Sequence, residues 1–195
     1  MDQGSGVKIL GLHMSPREKG SSALLLERFS EGAKRAGASV EILSVSKLDI
    51  RGCAECGKCN ETGACVFVDD DMAAVYSAWE TATRIVVATP VFFYDMPSQG
   101  KAILDRSQAF WSRRYMLNQN KEGVPGAKGF LLACGATKGK DLFVPVTLAV
   151  KYLFDSIAFP KTFPVLSFRQ IETPDKFTAG QLEEAEKAGC EFARQ

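Results

Sequence analysis

"VKILGLHMSPREKGSSALLLERFSEGAKRAGASVEILSV" (residues 7–45) reads as strand, loop, helix, strand, and the rest of the chain repeats that order. "VKILGL" (7–12) and "VEILSV" (40–45) are apolar runs of strand length. Between them Leu25, Leu26, Phe29 and Ala33 follow helical spacing, Ser21 or Ser22 can cap the start, and Gly37 stands where a helix commonly stops. Working outward, "RIVVAT" (84–89), "GFLLACG" (129–135) and "FPVLSF" (163–168) are three further strands. Met72, Val75, Tyr76 and Trp79 form a helical stripe behind three aspartates that suit the positive end of a helix. A third helix is predicted over about 97–117, with Ile103, Ser107, Phe110 and Trp111 on one side, and a fourth near 142–158. The last begins at Thr178, where "TAGQ" fits a capping box.

Strands alternating with helices predict a three-layer α/β fold with a parallel sheet, and nearly continuous apolar strands predict helices on both faces. Pro164 cannot donate a ladder hydrogen bond, so the fifth strand belongs at an edge. The order 2-1-3-4-5 puts it there. It also opens a crevice at the carboxyl ends of strands 1 and 3, where the chain order reverses. Two loops emerge at that crevice: "HMSPREKGSS" (13–22) and "TPVFFYDMPSQ" (89–99).

Composition limits what the crevice serves. A chain of 195 residues with 46% apolar content builds one substantial core, so the expectation is a single domain over 1–195 with a Cys-rich loop at 52–66. The 24 basic and 23 acidic residues nearly cancel, and no basic block points to nucleic acid. "MDQGSG" at the start lacks the charge and apolar run of an export signal, and no segment approaches the roughly 20 apolar residues of a membrane span. The expectation is a cytoplasmic protein whose thiols stay reduced.

The first loop joins a strand to a helix start and carries Ser15, Arg17, Gly20, Ser21 and Ser22. A helix N-terminus, hydroxyls and a guanidinium together suit an anion such as a monophosphate. Neither G-x-G-x-x-G nor a P-loop pattern is present. An ordinary capped helix after a Ser-Pro turn is the structural alternative. In the second loop Pro90, Val91, Phe92, Phe93 and Tyr94 could lie against a flat ring, or simply continue the core.

Four of the six cysteines, Cys53, Cys56, Cys59 and Cys65, fall within thirteen residues, with Gly52, Gly57 and Gly63 letting the backbone turn between them. Four thiolates suit [4Fe-4S], [2Fe-2S] or zinc, and a compact run favours iron over two separated pairs. Cys134 and Cys190 read as small buried hydrophobes. His13, the single histidine, reads as a packing or hydrogen-bonding residue rather than a catalytic one.

Three blocks, "SPREKGSS" (15–22), "GCAECGKCNETGACVFVDDDM" (52–72) and "TPVFFYDMPSQGKAILDR" (89–106), resemble the NADPH-dependent FMN reductase family of the flavodoxin-like superfamily, and within it the iron–sulfur flavoproteins. The resemblance covers roughly residues 7–135. It implies that Ser15, Arg17, Ser21 and Ser22 bind the FMN phosphate and that Pro90, Val91, Phe92, Phe93, Tyr94 and Asp95 contact the isoalloxazine ring. The loop from Cys134 and Gly135 to Lys138 would close the other side. The family usually has small residues where His13 and Met14 stand and often Gly-Ser where Tyr94 and Asp95 stand. It also implies a [4Fe-4S] cluster on the four clustered cysteines, NAD(P)H as an electron donor, and a small redox substrate or a redox protein such as a ferredoxin as partner. The implied assembly is a homodimer or homotetramer in which a cluster lies near a neighbouring subunit's flavin. The implied function is electron transfer between FMN and the cluster. The alternatives are an NAD(P)H-dependent FMN or quinone reductase without a cluster, and a zinc-stabilised or regulatory binding protein on the same scaffold.

Overall fold

A computed structural model describes residues 7–119 and 122–195; the N-terminal stretch read above for an export signal lies outside them. Five parallel strands form one sheet: β1 (Lys8–His13), β2 (Ser39–Ser44), β3 (Arg84–Pro90), β4 (Lys128–Gly135) and β5 (Val165–Arg169). Their order is β2-β1-β3-β4-β5, the flavodoxin-like order expected from the sequence. Pro164 sits just ahead of the edge strand β5, and its carbonyl accepts from the Leu131 amide.

Side-chain alternation divides the strands between two cores. Leu10, Leu12, Ile85, Val87, Leu131 and Ala133 face one side, against α3 (Met72–Thr81), α4 (Ser98–Arg106), α5 (Gln108–Tyr115) and α6 (Val144–Ser156). Ile9, Val86, Ala88, Phe130 and Leu132 face the other, against α1 (Ser21–Arg35) and α7 (Ala179–Arg194). The single turn α2 (Cys59–Thr62) lies in the cysteine loop. On the second face α1 and α7 cross in backbone contact, since a methyl on Gly32 would overlap the Glu186 carbonyl oxygen and one on Gly189 would overlap that of Phe29.

The helices depart from the sequence reading at two points. The helix expected over 97–117 is two helices meeting at Ser107, where the Ser107 amide bonds Leu104 O and the Phe110 amide bonds Ser107 O. Both bonds span only three residues. Across this tight turn Ile103, Ser107 and Phe110 are buried as expected, but Trp111 is exposed. The start of α1 is capped by the backbone of Gly20, with no side-chain cap, because Ser21 and Ser22 already lie inside the first turn. At α7 the Thr178 box forms in both directions with Gln181. Met72, Val75 and Trp79 are buried as expected, with Tyr76 half-buried beside them.

Candidate functional site

The two loops at the carboxyl ends of β1 and β3 do come together. A cleft of about 270 Å³ is lined by Ser15, Arg17, Ser21, Ser22, Pro90, Val91, Phe92, Cys134 and Gly135, with Gly20, Ala136, Ile171 and Glu172 completing it. Ile171 and Glu172 were not foreseen. They reach the cleft because the Ile171 amide bonds Gly135 O just beyond β5, a long-range pairing without a local sequence signal.

The N-terminus of α1 lines the cleft at Gly20, Ser21 and Ser22, where amide donors and a partial positive charge suit an anion. Ala23 and Leu24 donate their amides to Gly20 O, which leaves those of Ser21 and Ser22 facing out of the helix end. Ser15 Oγ accepts from the Arg17 amide at 3.1 Å, holding the turn, while the Arg17 side chain stays exposed. Ser21 is only 8% exposed, and its Oγ is buried with no hydrogen-bond partner among the described residues. An orphaned buried hydroxyl costs stability unless something fills its need, and here it opens onto a positive helix end. His13, 3% exposed, bridges Ser44 Oγ at 2.9 Å and Ser22 Oγ at 3.1 Å, so it serves hydrogen bonding as the sequence suggested. Burial depresses its pKa, with the charge of Glu18 pulling the other way.

On the upper wall, Phe92 and Asp95 exchange backbone hydrogen bonds of 2.7 and 2.9 Å around Phe93 and Tyr94, both in the left-handed region at φ 48° and 65°. This is a two-residue hairpin turn of the kind Asn-Gly usually occupies. Phe93, Tyr94 and Asp95 therefore sit on the rim rather than in the lining: Phe93 is fully exposed, Tyr94 packs against Gly139, and Asp95 Oδ1 accepts from the Met96 amide. Opposite, burial pushes the Cys134 thiol up to about 12, so it is a neutral apolar wall. Arg169 fixes the loop beyond, donating to Gly139 O and Lys140 O at 3.1 and 2.9 Å.

The four clustered cysteines line a second cavity of about 460 Å³, which shares no lining residue with the first. Cys53 and Cys56 are exposed, Cys59 and Cys65 partly buried. The Glu55 amide donates to Cys53 Sγ at 3.4 Å, and the backbone turns at Glu55, Gly57 and Gly63 with positive φ. Among the described residues no three Cys, His, Asp or Glu side chains converge on a point that could hold a metal ion. The donor set nevertheless suits one, being four reduced thiols on a common concavity.

What anchors this loop is Arg106, which sequence reasoning passed over. Its guanidinium is 1% exposed and donates to Arg51 O and Phe67 O, both at 3.0 Å, and to Asp70 Oδ2 at 2.7 Å. Residues 51 and 67 are the two shoulders of the cysteine segment, so one side chain staples both. Burial pushes the Asp70 carboxyl up, but the Arg106 bond and the amides of Arg51 and Met72 outweigh it and hold it below the usual carboxylate range. Arg106 stays charged for the reciprocal reason, burial being overcome by Asp70. Tyr76 donates to Arg106 O at 2.8 Å, and burial drives its hydroxyl up to about 12. Further along, Arg113 Nε donates to Gly63 O at 2.6 Å and Ser112 Oγ to Asn60 Oδ1 at 2.7 Å, docking α2 on α5.

A family model described as NADPH-dependent FMN reductase matches residues 7–139. The chain belongs to this family. The matched stretch takes in both loops of the cleft and the whole cysteine segment. Among curated relatives, the iron-sulfur flavoprotein of Methanosarcina thermophila is 33% identical over 118 residues, 60% of this chain and 61% of that one. The match thus spans less than two thirds of that relative's length. A solved flavone reductase superposes with a TM-score of 0.70 at 18% identity, covering 96% of this chain and 62% of its own. An FMN-dependent NADH-azoreductase of Bacillus anthracis, solved in complex with FMN, gives 0.68 at 12% identity, covering 95% and 99%. Likeness at these identities speaks for the fold. Among the described residues no helix is long and apolar enough to cross a membrane.

Proposed function

We propose that this FMN reductase family member is an FMN-dependent oxidoreductase, a single FMN-binding domain that takes electrons from NAD(P)H. The observation carrying the reading is the buried Ser21 hydroxyl, without a partner among the described residues, at the start of α1, which has no side-chain cap and opens into a cleft lined by both loops. Ser15, Ser21, Ser22 and Arg17 would hold the phosphate, the first three by donating hydroxyl protons and the last by its charge. Pro90, Val91, Phe92, Cys134 and Gly135 offer an apolar wall for the ring, with Phe93, Tyr94 and Asp95 positioned at its rim. Bound there, FMN supplies redox chemistry in one- or two-electron steps, and the protein supplies orientation and exclusion of water. No acid, base or nucleophile of the chain is required by this reading.

The second part of the proposal concerns the cysteine cavity. Cys53, Cys56, Cys59 and Cys65 would hold a [4Fe-4S] cluster, and the relative's designation as an iron-sulfur flavoprotein favours this occupant over zinc. A cluster supplies single-electron transfer. Because the two cavities share no lining residue, a homodimer or homotetramer bringing one chain's cysteines toward another's flavin is the assembly in keeping with this reading. Exposed Trp111, Tyr115, Leu148 and Tyr152 on α5 and α6 offer apolar surface for it. A small redox substrate or a ferredoxin-like protein in the cytoplasm would complete the circuit. Anaerobic purification followed by a visible spectrum, iron and acid-labile sulfide assays and NAD(P)H addition tests both parts. Bleaching of a flavin spectrum by NADH or NADPH with four irons per chain is expected. Flavin without iron retains only the cluster-free reductase, and a colourless protein that takes up no flavin overturns the whole reading.

A further inference from the structure

Ser46, Ser44, His13 and Ser22 form a continuous line of side-chain hydrogen bonds ending at the cleft. Ser46 Oγ lies 2.9 Å from Ser44 Oγ, Ser44 Oγ 2.9 Å from His13 Nδ1, and His13 Nε2 3.1 Å from Ser22 Oγ. Every pair has two possible donors, so geometry alone leaves the direction of the line open. The ligand chemistry fixes it. A bound phosphate accepts hydrogen bonds, and Ser22 has one hydroxyl proton to give. If that proton went to His13, the Ser22 lone pairs would face the anion, a repulsion that the burial of Ser22 (1% exposed) and His13 (3% exposed) leaves largely unscreened.

We propose that His13 is the positioning residue of the phosphate cradle: held as the neutral tautomer protonated at Nε2, it donates to Ser22 and so commits the Ser22 hydroxyl to the anion. This rests on the flavin reading above and deepens it. With Nε2 donating, Nδ1 must accept, which requires Ser44 to donate to His13 and Ser46 to donate to Ser44. All four groups are then satisfied with one polarity, running from the β2 side toward the ligand. Burial of the ring opposes its charging and so keeps the neutral form, against the weaker pull of Glu18. The sequence reading took His13 as a packing or hydrogen-bonding residue and could not name its partners, because a lone histidine carries no spacing signal. Its two serine partners lie 9 and 31 positions away.

Because His13 is the only histidine, a histidine-labelled sample gives one pair of ring nitrogens, and a long-range ¹H–¹⁵N spectrum of the FMN-loaded protein reads the tautomer directly. A proton on Nε2 alone is expected. A proton on Nδ1 alone, or a charged ring, overturns the inference while leaving the flavin reading intact. In a second arm FMN affinity is measured for His13→Gln, which keeps a donor to Ser22, and for His13→Leu, which does not. The Leu variant should bind FMN at least about fivefold more weakly and the Gln variant within about twofold of the parent, on the scale of one net hydrogen bond. Equal affinities for the two variants overturn the inference, and a parent protein that takes up no FMN overturns the flavin reading and this inference together.

Discussion

At the scale of single residues, the account turns on polar groups whose partners decide what they do. The Ser21 hydroxyl has no partner among the described residues, so Ser21→Ala removes no hydrogen bond seen in the fold. FMN affinity should fall about tenfold or more, the worth of a bond to a charged acceptor, while the melting temperature stays level or rises. A fluorescence titration beside a thermal melt checks both, and a loss of stability with unchanged affinity would contradict the assignment. Asp70 is the opposite case, a buried carboxylate fully engaged by Arg106. Its pKa is lowered on folding, so its contribution is complete above the unfolded value of about 4 and disappears as pH falls through the folded one. Asp70→Asn should therefore cost about 3 kcal/mol at pH 7, by leaving Arg106 buried without its counter-charge, and the gap from the parent should close well below pH 4. Urea unfolding at both pH values checks this; the same gap at both would contradict it. The sequence put Ser21 in a candidate phosphate loop but gave no sign of the Arg106–Asp70 pair. Serines near a helix start signal a cap or a ligand equally well, and Arg106 finds its partners 36, 39 and 55 residues away.

At the scale of elements, two close approaches constrain the chain. Where α1 crosses α7, each helix presents a glycine to the other's backbone. Gly32→Ala must force the helices apart, at a cost of about 1–3 kcal/mol by the usual penalty for overpacking. Chemical denaturation measures it, and a neutral substitution would mean the crossing is looser than described. The rim hairpin carries the reverse burden. Phe93 and Tyr94 occupy left-handed positions that cost an ordinary residue about 1–2 kcal/mol each, so the double change Phe93→Asn with Tyr94→Gly should stabilise the protein, visibly in a thermal melt. A drop in melting temperature would show that the exposed aromatics contribute more than the strain costs. Elements were read well where the pattern is local. All five strands follow their apolar runs, and the Thr178 box announced α7. The division of α4 from α5 was hidden because both sides of Ser107 keep helical dihedral angles, so the apolar period crosses the break with little change.

For the whole molecule, the fold was legible because parallel strands covered on both faces write themselves as unbroken apolar runs, and Pro164 marked an edge. The order of the strands then located the cleft before any side chain was placed. It could not say which loop residues line that cleft and which only rim it, because this depends on the hairpin at Phe93 and Tyr94 and on Ile171 and Glu172 arriving from beyond β5. Nor did it reveal that Arg106 holds the cysteine loop by its shoulders, at Arg51 and Phe67. On the proposed reading the start of α1 receives a flavin phosphate. Titrating FMN into flavin-free protein while following the quenching of flavin fluorescence tests it most directly. The account predicts saturable quenching with one FMN per chain, competed by inorganic phosphate; quenching that never saturates, or none at all, would contradict it.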